Sequence, residues 1–261
     1  MKHIYTFLCL FLLGFILNSP SAYADVLELS YPDFTIWLDC EKRSATKFHY
    51  RLGPDVGNLE RTNDYTLDPD VPKNCQQTST NTYRYPKLGI ACKKGEQKDK
   101  NCFHRGHLIP YNHMDDSLIA TQQSNYMTNI LPQAEELNTG AWKKTEEITE
   151  CYRDYSAVDI FGGPIWGKNG VELSNHSITM PDSYWKVLIR DDKVIAWIIP
   201  NSNEEQVGEN DLPNFMVTIE TIEKLTDHVI PIASKYKKKR GNESFWDTSY
   251  CTDNSPVGWW K

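Results

Sequence analysis

The chain has 261 residues, of which 39% are hydrophobic, and a formal net charge of −7 at pH 7. This length is sufficient for one large domain with its own core, and no internal repeat or long low-complexity linker divides it. The negative charge argues against a protein that coats nucleic acid by bulk attraction, because such binding relies on clustered lysine and arginine. An enzyme acting on a polyanion is not excluded, since a bound divalent ion supplies local positive charge.

The N-terminus has the pattern of a cleavable export signal. Lys2 precedes an apolar run from Ile4 to Leu17, which is short for a membrane span, and small residues follow at 22 and 24. We therefore expect a signal peptide over residues 1–24 and cleavage before Asp25. Residues 25–261 are expected to form a single domain that is secreted or periplasmic and free of membrane. An uncleaved N-terminal anchor is the alternative.

Export changes the interpretation of the cysteines. Cys9 would leave with the signal, and the six that remain are Cys40, Cys75, Cys92, Cys102, Cys151 and Cys251. An even number in an oxidising compartment favours as many as three disulfides at the periphery of the domain, among about 15 pairings. Cys92 and Cys102 bracket a charged segment and are the preferred local pair, while free buried thiols are the alternative.

The first predicted elements are two short strands. Phe34–Leu38 and Phe48–Leu52 are apolar runs of the length and composition typical of strands. Residues 61–102 are poor in apolar periodicity and rich in Asn, Asp, Pro and Lys. We expect that segment to be mostly loop.

The main helix is predicted over Asn138–Tyr155, where apolar positions recur every three or four residues, and Asn138 is suited to a place at or near its N-cap. Further predicted elements are a buried strand at Ala157–Phe161, a hairpin of Trp185–Ile189 with Val194–Ile199, a second helix near Val217–Leu225, and a tail from Phe245 stapled back onto the body. Because strands and helices are segregated rather than alternating, the predicted fold class is α+β.

Two blocks of residues carry the functional prediction. They are His104-Arg105-Gly106-His107-Leu108-Ile109-Pro110 and Leu137-Asn138-Thr139-Gly140-Ala141-Trp142, and Glu146 follows the second. In that order, a histidine can act as a general base, a neutral oxygen ligand can bind a hard cation, and a carboxylate can orient the water molecules around that cation. A metal-dependent phosphodiesterase needs these parts.

The blocks resemble the DNA/RNA non-specific endonucleases of the ββα-metal superfamily, the Serratia-type secreted nucleases, whose signature is Asp-Arg-Gly-His followed by Leu-Asn-x-Gly-x-Trp. Residues 126–133 match the family's Tyr-x-x-Asn-Ile-x-Pro-Gln, and the likeness runs from about residue 60 to about residue 230. The resemblance implies a central antiparallel sheet flanked by helices. It also implies an endonuclease with DNA and RNA as substrates, 5′ phosphate products, and Mg²⁺ as cofactor or Mn²⁺ as a substitute.

Three residues receive the principal roles. His107 is the candidate general base, because an unperturbed imidazole titrates near pH 6.5. Asn138 is the candidate metal ligand, and a single neutral amide leaves most of the shell to water and phosphate, which suits magnesium. Glu146 would lie about 12 Å further along a regular helix, so it serves the same centre only through the water around the ion. An ordinary exposed helix glutamate is the alternative for Glu146.

Three more residues are assigned near the site. Arg61 loosely matches a phosphate-clamping arginine of the family, and a surface salt bridge is an equally good interpretation. Asn129 is expected to tie neighbouring loops together. Arg105 either does the same through packing and hydrogen bonds or meets a phosphate.

Two positions depart from the family pattern. His104 stands where the family has aspartate, so a permanent negative charge is missing beside the site. Glu150 stands where the family tends to carry arginine, four residues beyond the helix glutamate. Neither position is the base or the ligand, and the prediction of catalysis is retained.

Two other functions remain open at this point. A zinc hydrolase could use His104, His107 and His113, although the first two would point to opposite faces of an extended strand. An exported nucleic-acid-binding protein on a catalytically weakened scaffold is the second alternative. The basic run at residues 235–240 is either a phosphate-facing patch or a solvated loop. The sequence gives no indication of oligomeric state.

Overall fold

A computed structural model describes residues 26–84, 102–168, 170–203, 206–249 and 251. Its strands are β1 (Val26–Ser30), β2 (Phe34–Asp39), β3 (Ser44–Leu52), β4 (Tyr83–Arg84), β5 (Cys102–His107), β6 (Ile130–Gln133), β7 (Val158–Ile165), β8 (Glu172–Leu173), β9 (Ile178–Thr179), β10 (Ser183–Arg190) and β11 (Lys193–Pro200). Its α-helices are α1 (Leu118–Ser124), α2 (Glu135–Thr139), α3 (Ala141–Arg153), α4 (Ile219–Thr226) and α5 (Ser234–Lys237). Four 3₁₀ segments, at Tyr111–His113, Met127–Asn129, Glu209–Phe215 and Glu243–Phe245, connect them.

The centre of the fold is a six-stranded sheet in the order β1-β2-β3-β7-β10-β11. Every neighbouring pair in it is antiparallel. The β10–β11 hairpin turns at Asp191, whose φ is 55°, a left-handed conformation that aspartate tolerates in tight turns. A smaller sheet, β4-β5-β6, lies beside the central one, and β8 pairs with β9.

Both faces of the central sheet are covered, because successive side chains of each strand point to opposite sides. On β10, Tyr184 and Leu188 belong to the larger core, which also contains Trp142 of α3. Trp185 and Val187 belong to a second core, with Ile219 and Ile222 of α4. The structure is therefore α+β, with an antiparallel sheet between helical layers, as the sequence predicts.

Most of the predicted elements are confirmed. The two early strands, the strand after the main helix, the hairpin and the second helix all occur, with ends shifted by a few residues. The tail is stapled to the body, because Cys251 forms a disulfide with Cys151 of α3. A second disulfide joins Cys40 to Cys75. The side chains of the predicted Cys92–Cys102 pair and the predicted signal peptide over residues 1–24 lie outside the described parts of the chain.

The predicted single helix from Asn138 is wrong in one respect. The chain forms two helices, α2 and α3, which Gly140 separates. A Cβ atom at Gly140 would collide with the carbonyl oxygens of Glu136 and Val207, so only glycine fits this close approach of three backbone segments. Asn138 consequently lies in the last turn of α2 and is not the N-cap of the longer helix. Within the described part of the chain, no helix has the length and apolar character needed to cross a bilayer.

Candidate active site

The Arg-Gly-His block lies on strand β5, which pairs with β6 so that His104 faces Gln133 and His107 faces Ile130. Gly106 is needed in this strand because a Cβ atom there would overlap the Gln133 side chain. The strand ends at His107, where the chain turns toward the 3₁₀ segment at 111–113. A short polar strand therefore delivers the histidine to the wall of a cavity.

The His107 ring is held in one orientation and kept neutral. Its Nε2 lies 2.9 Å from Oδ1 of Asn125, which can only accept, so Nε2 carries the proton and Nδ1 is the free basic atom. Burial, reinforced by the Arg61 guanidinium, lowers the pKa of His107 to about 4. Trp142 Nε1 also donates to the backbone oxygen of His107 at 3.2 Å. At neutral pH the ring is thus a neutral imidazole, protonated on Nε2 alone, and its Nδ1 can accept a proton.

Asn125 is a residue that sequence reasoning missed. It precedes the Tyr126–Gln133 block and is almost fully buried, with 1% of its surface exposed. Its Nδ2 donates to Thr62 Oγ1 at 3.2 Å, which fixes the amide with its oxygen toward His107. The only signal in the sequence is its place next to a recognised block.

Asn138 is oriented by the histidine that departs from the family pattern. Asn138 Nδ2 lies 3.0 Å from His104 Nδ1, so the amide nitrogen donates and the ring nitrogen accepts. This contact uses the donor end of the amide and not Oδ1, the atom that can ligate a cation, and Asn138 lines the cavity. His104 therefore orients the Asn138 amide through a hydrogen bond.

Glu146 projects from the second turn of α3 and is buried, with 8% of its surface exposed. Burial raises the pKa of Glu146 to about 7, while the cations of Lys186 and Arg61 act in the opposite direction. The residue is not the exposed helix glutamate that the alternative interpretation required. Its carboxyl group is close to the point of ionisation at neutral pH.

The two predicted arginines differ in how firmly they are held. The Arg105 guanidinium stacks 3.8 Å above the Tyr65 ring, and its Nη1 donates to the Thr80 carbonyl at 3.0 Å. Arg61 lies on an irregular segment and acts electrostatically on both His107 and Glu146. Both arginines line the same cavity.

That cavity has a volume of about 530 Å³. Five of the six predicted site residues line it: Arg61, Arg105, His107, Asn138 and Glu146. Lys143 and Asp115 are also on its wall. An imidazole, an amide, carboxyl groups and two guanidinium groups therefore border one space large enough for a phosphodiester.

Asn129 is the predicted site residue that lies behind the cavity wall. It is fully buried, accepts a hydrogen bond from the Ile109 backbone nitrogen at 3.0 Å, and donates to the carbonyls of Ile109 and Ser124, both at 2.8 Å. These bonds tie the segment after β5 to the end of α1. Asn129 therefore supports the strand end that carries His107 and does not face the cavity.

The protein groups in the cavity fit a hard cation that keeps most of its water. Asn138 offers a neutral amide oxygen, and Glu146 offers a carboxyl group that can accept hydrogen bonds from water. Among the described residues, no group of three or more His, Cys, Asp or Glu side chains is placed to hold a metal. This sparse oxygen donor set matches magnesium, which dehydrates reluctantly and is shared between protein, water and phosphate.

The three histidines of the zinc alternative do not converge. His104 contacts Asn138, His107 contacts Asn125, and His113 Nδ1 bonds to the Tyr50 hydroxyl at 2.9 Å in the core. The second departure from the family pattern, Glu150, is buried 3.4 Å from His113 Nε2 and beside Arg153, away from the cavity. The three-imidazole site proposed from the sequence is therefore not formed.

Comparison with known proteins agrees with this geometry. The profile of the DNA/RNA non-specific endonuclease family matches residues 16–238. Relatives include mitochondrial endonuclease G of Bos taurus, 28% identical over 47% of this chain and 46% of its own length, and the nuclease of Serratia marcescens, 28% identical over 48% and 50%. Mitochondrial nuclease EXOG of Xenopus laevis is 27% identical over 68% of this chain and 50% of its own length. The chain thus spans about half the length of the curated relatives it matches.

The fold has a counterpart among solved structures. A chain from the crystal structure of the EndoG/EndoGI complex superimposes with a TM-score of 0.64 over 80% of this chain and 88% of its own length. The sequence identity is 17%, so this likeness concerns the fold alone.

Proposed function

The chain belongs to the DNA/RNA non-specific endonuclease family, and from that premise we propose that it hydrolyses phosphodiester bonds in DNA and RNA without sequence specificity. The observation that carries the proposal is the shared cavity of His107, Asn138 and Glu146, flanked by Arg61 and Arg105. We further propose that cleavage depends on Mg²⁺, with Mn²⁺ as a substitute, and that the products carry 5′ phosphates.

His107 is the proposed general base. Its Nδ1 takes a proton from a water molecule as the water oxygen attacks phosphorus, and the bond from phosphorus to the 3′ oxygen breaks on the opposite side. The phosphate then remains on the 5′ oxygen of one product, and the 3′ oxygen of the other, departing product takes a proton from water. The charge that develops on the ring is shared with Asn125 Oδ1, which accepts from Nε2–H at 2.9 Å.

Asn138 and Glu146 are the proposed cation-binding groups. The ion, when bound, stabilises negative charge on the phosphoryl oxygens and on the leaving 3′ oxygen. Asn138 would hold such an ion through Oδ1, and the Glu146 carboxylate would accept hydrogen bonds from its water molecules. His104 supports this arrangement through its 3.0 Å contact with the Asn138 amide nitrogen.

The cavity places cationic side chains beside the acidic side chains of Glu60, Asp115 and Glu146. Arg61, Arg105 and Lys143 line it, although the formal net charge of the chain is −7. Guanidinium groups bind phosphate oxygens in a bidentate manner and stabilise charge in the transition state. Arg105 is already held by its Tyr65 and Thr80 contacts, so it loses little side-chain freedom when a phosphate binds.

We also propose that residues 25–261 act as one exported domain after removal of residues 1–24, in a secreted or periplasmic location. Two disulfides, Cys40–Cys75 and Cys151–Cys251, support an oxidising compartment. Two of the relatives are named as mitochondrial proteins, so the compartment differs between members of the family. N-terminal sequencing of the protein recovered outside the cytoplasm is expected to begin at Asp25.

The deciding experiment incubates purified residues 25–261 with plasmid, single-stranded DNA and RNA, with and without a chelator. Cleavage of all three substrates in Mg²⁺, its loss with chelator, and its return with Mg²⁺ or Mn²⁺ are the expected results. The 5′ ends of the products are then labelled with a polynucleotide kinase. If these ends carry phosphates, labelling requires prior treatment with phosphatase. Binding without cleavage in either metal would instead favour the weakened nucleic-acid-binding protein, and rescue by zinc alone would favour the zinc hydrolase.

A further inference from the structure

Tyr111 is a buried tyrosine whose hydroxyl group has no part in the mechanism above. It begins the 3₁₀ segment that follows strand β5, and 5% of its surface is exposed. Tyr111 lines the cavity, and its hydroxyl group donates a hydrogen bond to the Glu60 carbonyl oxygen at 2.7 Å. Because this bond uses the hydroxyl proton, Tyr111 does not donate to a substrate phosphate at the same time.

The Glu60 carbonyl belongs to the peptide unit that leads into Arg61. A peptide unit is planar, so a bond that fixes its carbonyl also fixes the plane from which the Arg61 side chain projects. The Arg105 guanidinium is held by its own contacts, whereas in the described part of the chain no hydrogen bond or salt bridge holds that of Arg61. The placement of Arg61 therefore depends on its backbone.

The irregular segment before Arg61 is clamped at two further points. The Leu59 backbone nitrogen donates to the Asp115 carbonyl at 3.0 Å. Gly57 packs so closely that a Cβ atom there would overlap the Asp115 side chain. Beyond Arg61, the next backbone–backbone bond from the described chain to another segment is at Thr66. The bond to the Glu60 carbonyl is thus the last anchor before the arginine.

This anchor connects the arginine to the strand that carries the base. The two residues after His107 are fully buried, and both of their backbone nitrogens donate to Asn129 at 3.0 Å. Pro110, whose ring fixes φ, then leads directly into Tyr111. Because this path is short and firmly held, the Tyr111 hydroxyl group fixes the Arg61 backbone relative to the His107 ring.

We propose that Tyr111 is a positioning residue of the reaction, whose hydroxyl group keeps Arg61 at a fixed place on the cavity wall relative to the His107 base. The inference rests on the proposed function, in which Arg61 stabilises negative charge on the phosphate. Its physical basis is preorganisation, because a cation that is in place before the substrate binds loses little freedom as the transition state forms. Tyr111 acts through Arg61, by way of the Glu60 carbonyl.

The test compares Tyr111→Phe, which removes the hydroxyl group and keeps the ring, with Tyr152→Phe as the matched control. Tyr152 is 4% exposed, and its hydroxyl group also donates to a backbone carbonyl, that of Asp247 at 2.8 Å, but it does not line the cavity. Each variant therefore loses a hydrogen bond of the same kind. Steady-state kcat and KM are measured in saturating Mg²⁺ with a fluorophore-labelled oligonucleotide, at a temperature where melting curves show every variant folded.

The expected loss is confined to the variant whose hydroxyl group serves Arg61. Tyr111→Phe is expected to lower kcat about 3- to 10-fold, the factor that corresponds to one ordinary hydrogen bond. KM is expected to change less than kcat, because Arg61 acts on charge that develops in the transition state. Tyr152→Phe is expected to keep the wild-type kcat and KM, although its melting temperature falls by a similar amount.

A second measurement needs neither substrate nor metal. Backbone ¹⁵N relaxation reports the mobility of the Arg61 amide, whose order parameter is expected to be about 0.85 in the wild type and to fall toward about 0.6 in Tyr111→Phe. Tyr152→Phe is expected to leave this amide unchanged.

A double variant separates this inference from the proposed function. In the Arg61→Ala background, the Tyr111→Phe change is expected to have no further effect on kcat. If Arg61→Ala alone cleaves like wild type, the proposed role of Arg61 fails and the inference fails with it. If Arg61→Ala is impaired while Tyr111→Phe keeps the wild-type kcat or the wild-type order at the Arg61 amide, the role of Tyr111 fails alone. A loss of kcat that persists in the Arg61→Ala background, or that Tyr152→Phe shares, would also overturn it, in favour of a hydroxyl group that only stabilises the fold.

Discussion

Asn125→Ala tests whether one buried amide sets the catalytic state of His107. In the wild type, Asn125 Oδ1 accepts from His107 Nε2 at 2.9 Å, and the residues are 1% and 7% exposed. The substitution removes the acceptor and leaves a buried N–H without a partner. It also removes an interaction that raises the pKa of His107, so the ring becomes a weaker base.

The magnitude follows from the nature of this hydrogen bond. Removing one partner of a buried bond costs about 1–3 kcal/mol, and the cost grows when the remaining donor becomes charged. His107 becomes cationic only as it takes the proton, so the loss falls mainly on the transition state. A cost of about 1–3 kcal/mol corresponds to a reduction in kcat of about 5- to 150-fold, with a smaller change in KM.

The assay is steady-state cleavage of plasmid in Mg²⁺, together with NMR of the imidazole nitrogens to identify the protonated atom. Thr62→Val is the matched control, because it removes the partner of Asn125 Nδ2, at 3.2 Å, and keeps the oxygen that faces His107. That control is expected to stay within about twofold of wild type, since Thr62 is exposed. A wild-type kcat for Asn125→Ala, or a wild-type ring with its proton on Nδ1, would refute the reasoning.

Three further substitutions test the site and its support. His107→Ala is expected to lower kcat by about 10²- to 10⁴-fold, as for loss of a general base, while circular dichroism and melting temperature stay near wild type; near-normal turnover would contradict the assignment. Asn138→Ala is expected to raise the Mg²⁺ concentration for half-maximal rate at least about tenfold and to lower the maximal rate, and an unchanged Mn²⁺ affinity in a direct titration would argue against a ligand. Gly140→Ala is expected to cost about 1–3 kcal/mol in urea unfolding, because the added methyl meets two backbone carbonyls, and a fully stable variant would show that this turn can adjust.

The larger strands and helices could be predicted from the sequence because each is marked by a pattern of neighbouring residues. The β10–β11 hairpin shows apolar runs on both sides of an Asp-Asp turn, and α4 has regular apolar spacing. Strand β5 was harder to predict, because its residues are largely polar and its partner β6 is 23 positions further on. Only the block of motif residues marked this region of the chain.

The candidate site residues also divide into those with a local sequence pattern and those without one. His107, Asn138 and Glu146 were found by their chemical types and by a family resemblance. The burial of Asn125 and Lys186 was missed, because it depends on contacts with residues distant in the chain. A lysine within a strand usually signals a solvent-facing position, and only the packing of α3 against β10 buries this one. Tertiary structure, and not local pattern, places these two residues in the interior.

The break at Gly140 resolves the geometric difficulty that the sequence posed. On one regular helix, Asn138 and Glu146 would lie about 12 Å apart along the axis and on different faces. Because the chain ends one helix and begins another at Gly140, the last turn of α2 and the second turn of α3 both border the cavity. The Ala141 backbone nitrogen is held by the Val207 carbonyl at 2.7 Å, so the bend is fixed by tertiary contact. Asn138 and the buried carboxyl group of Glu146 therefore border one cavity, because a glycine allows three backbone segments to meet where no side chain would fit.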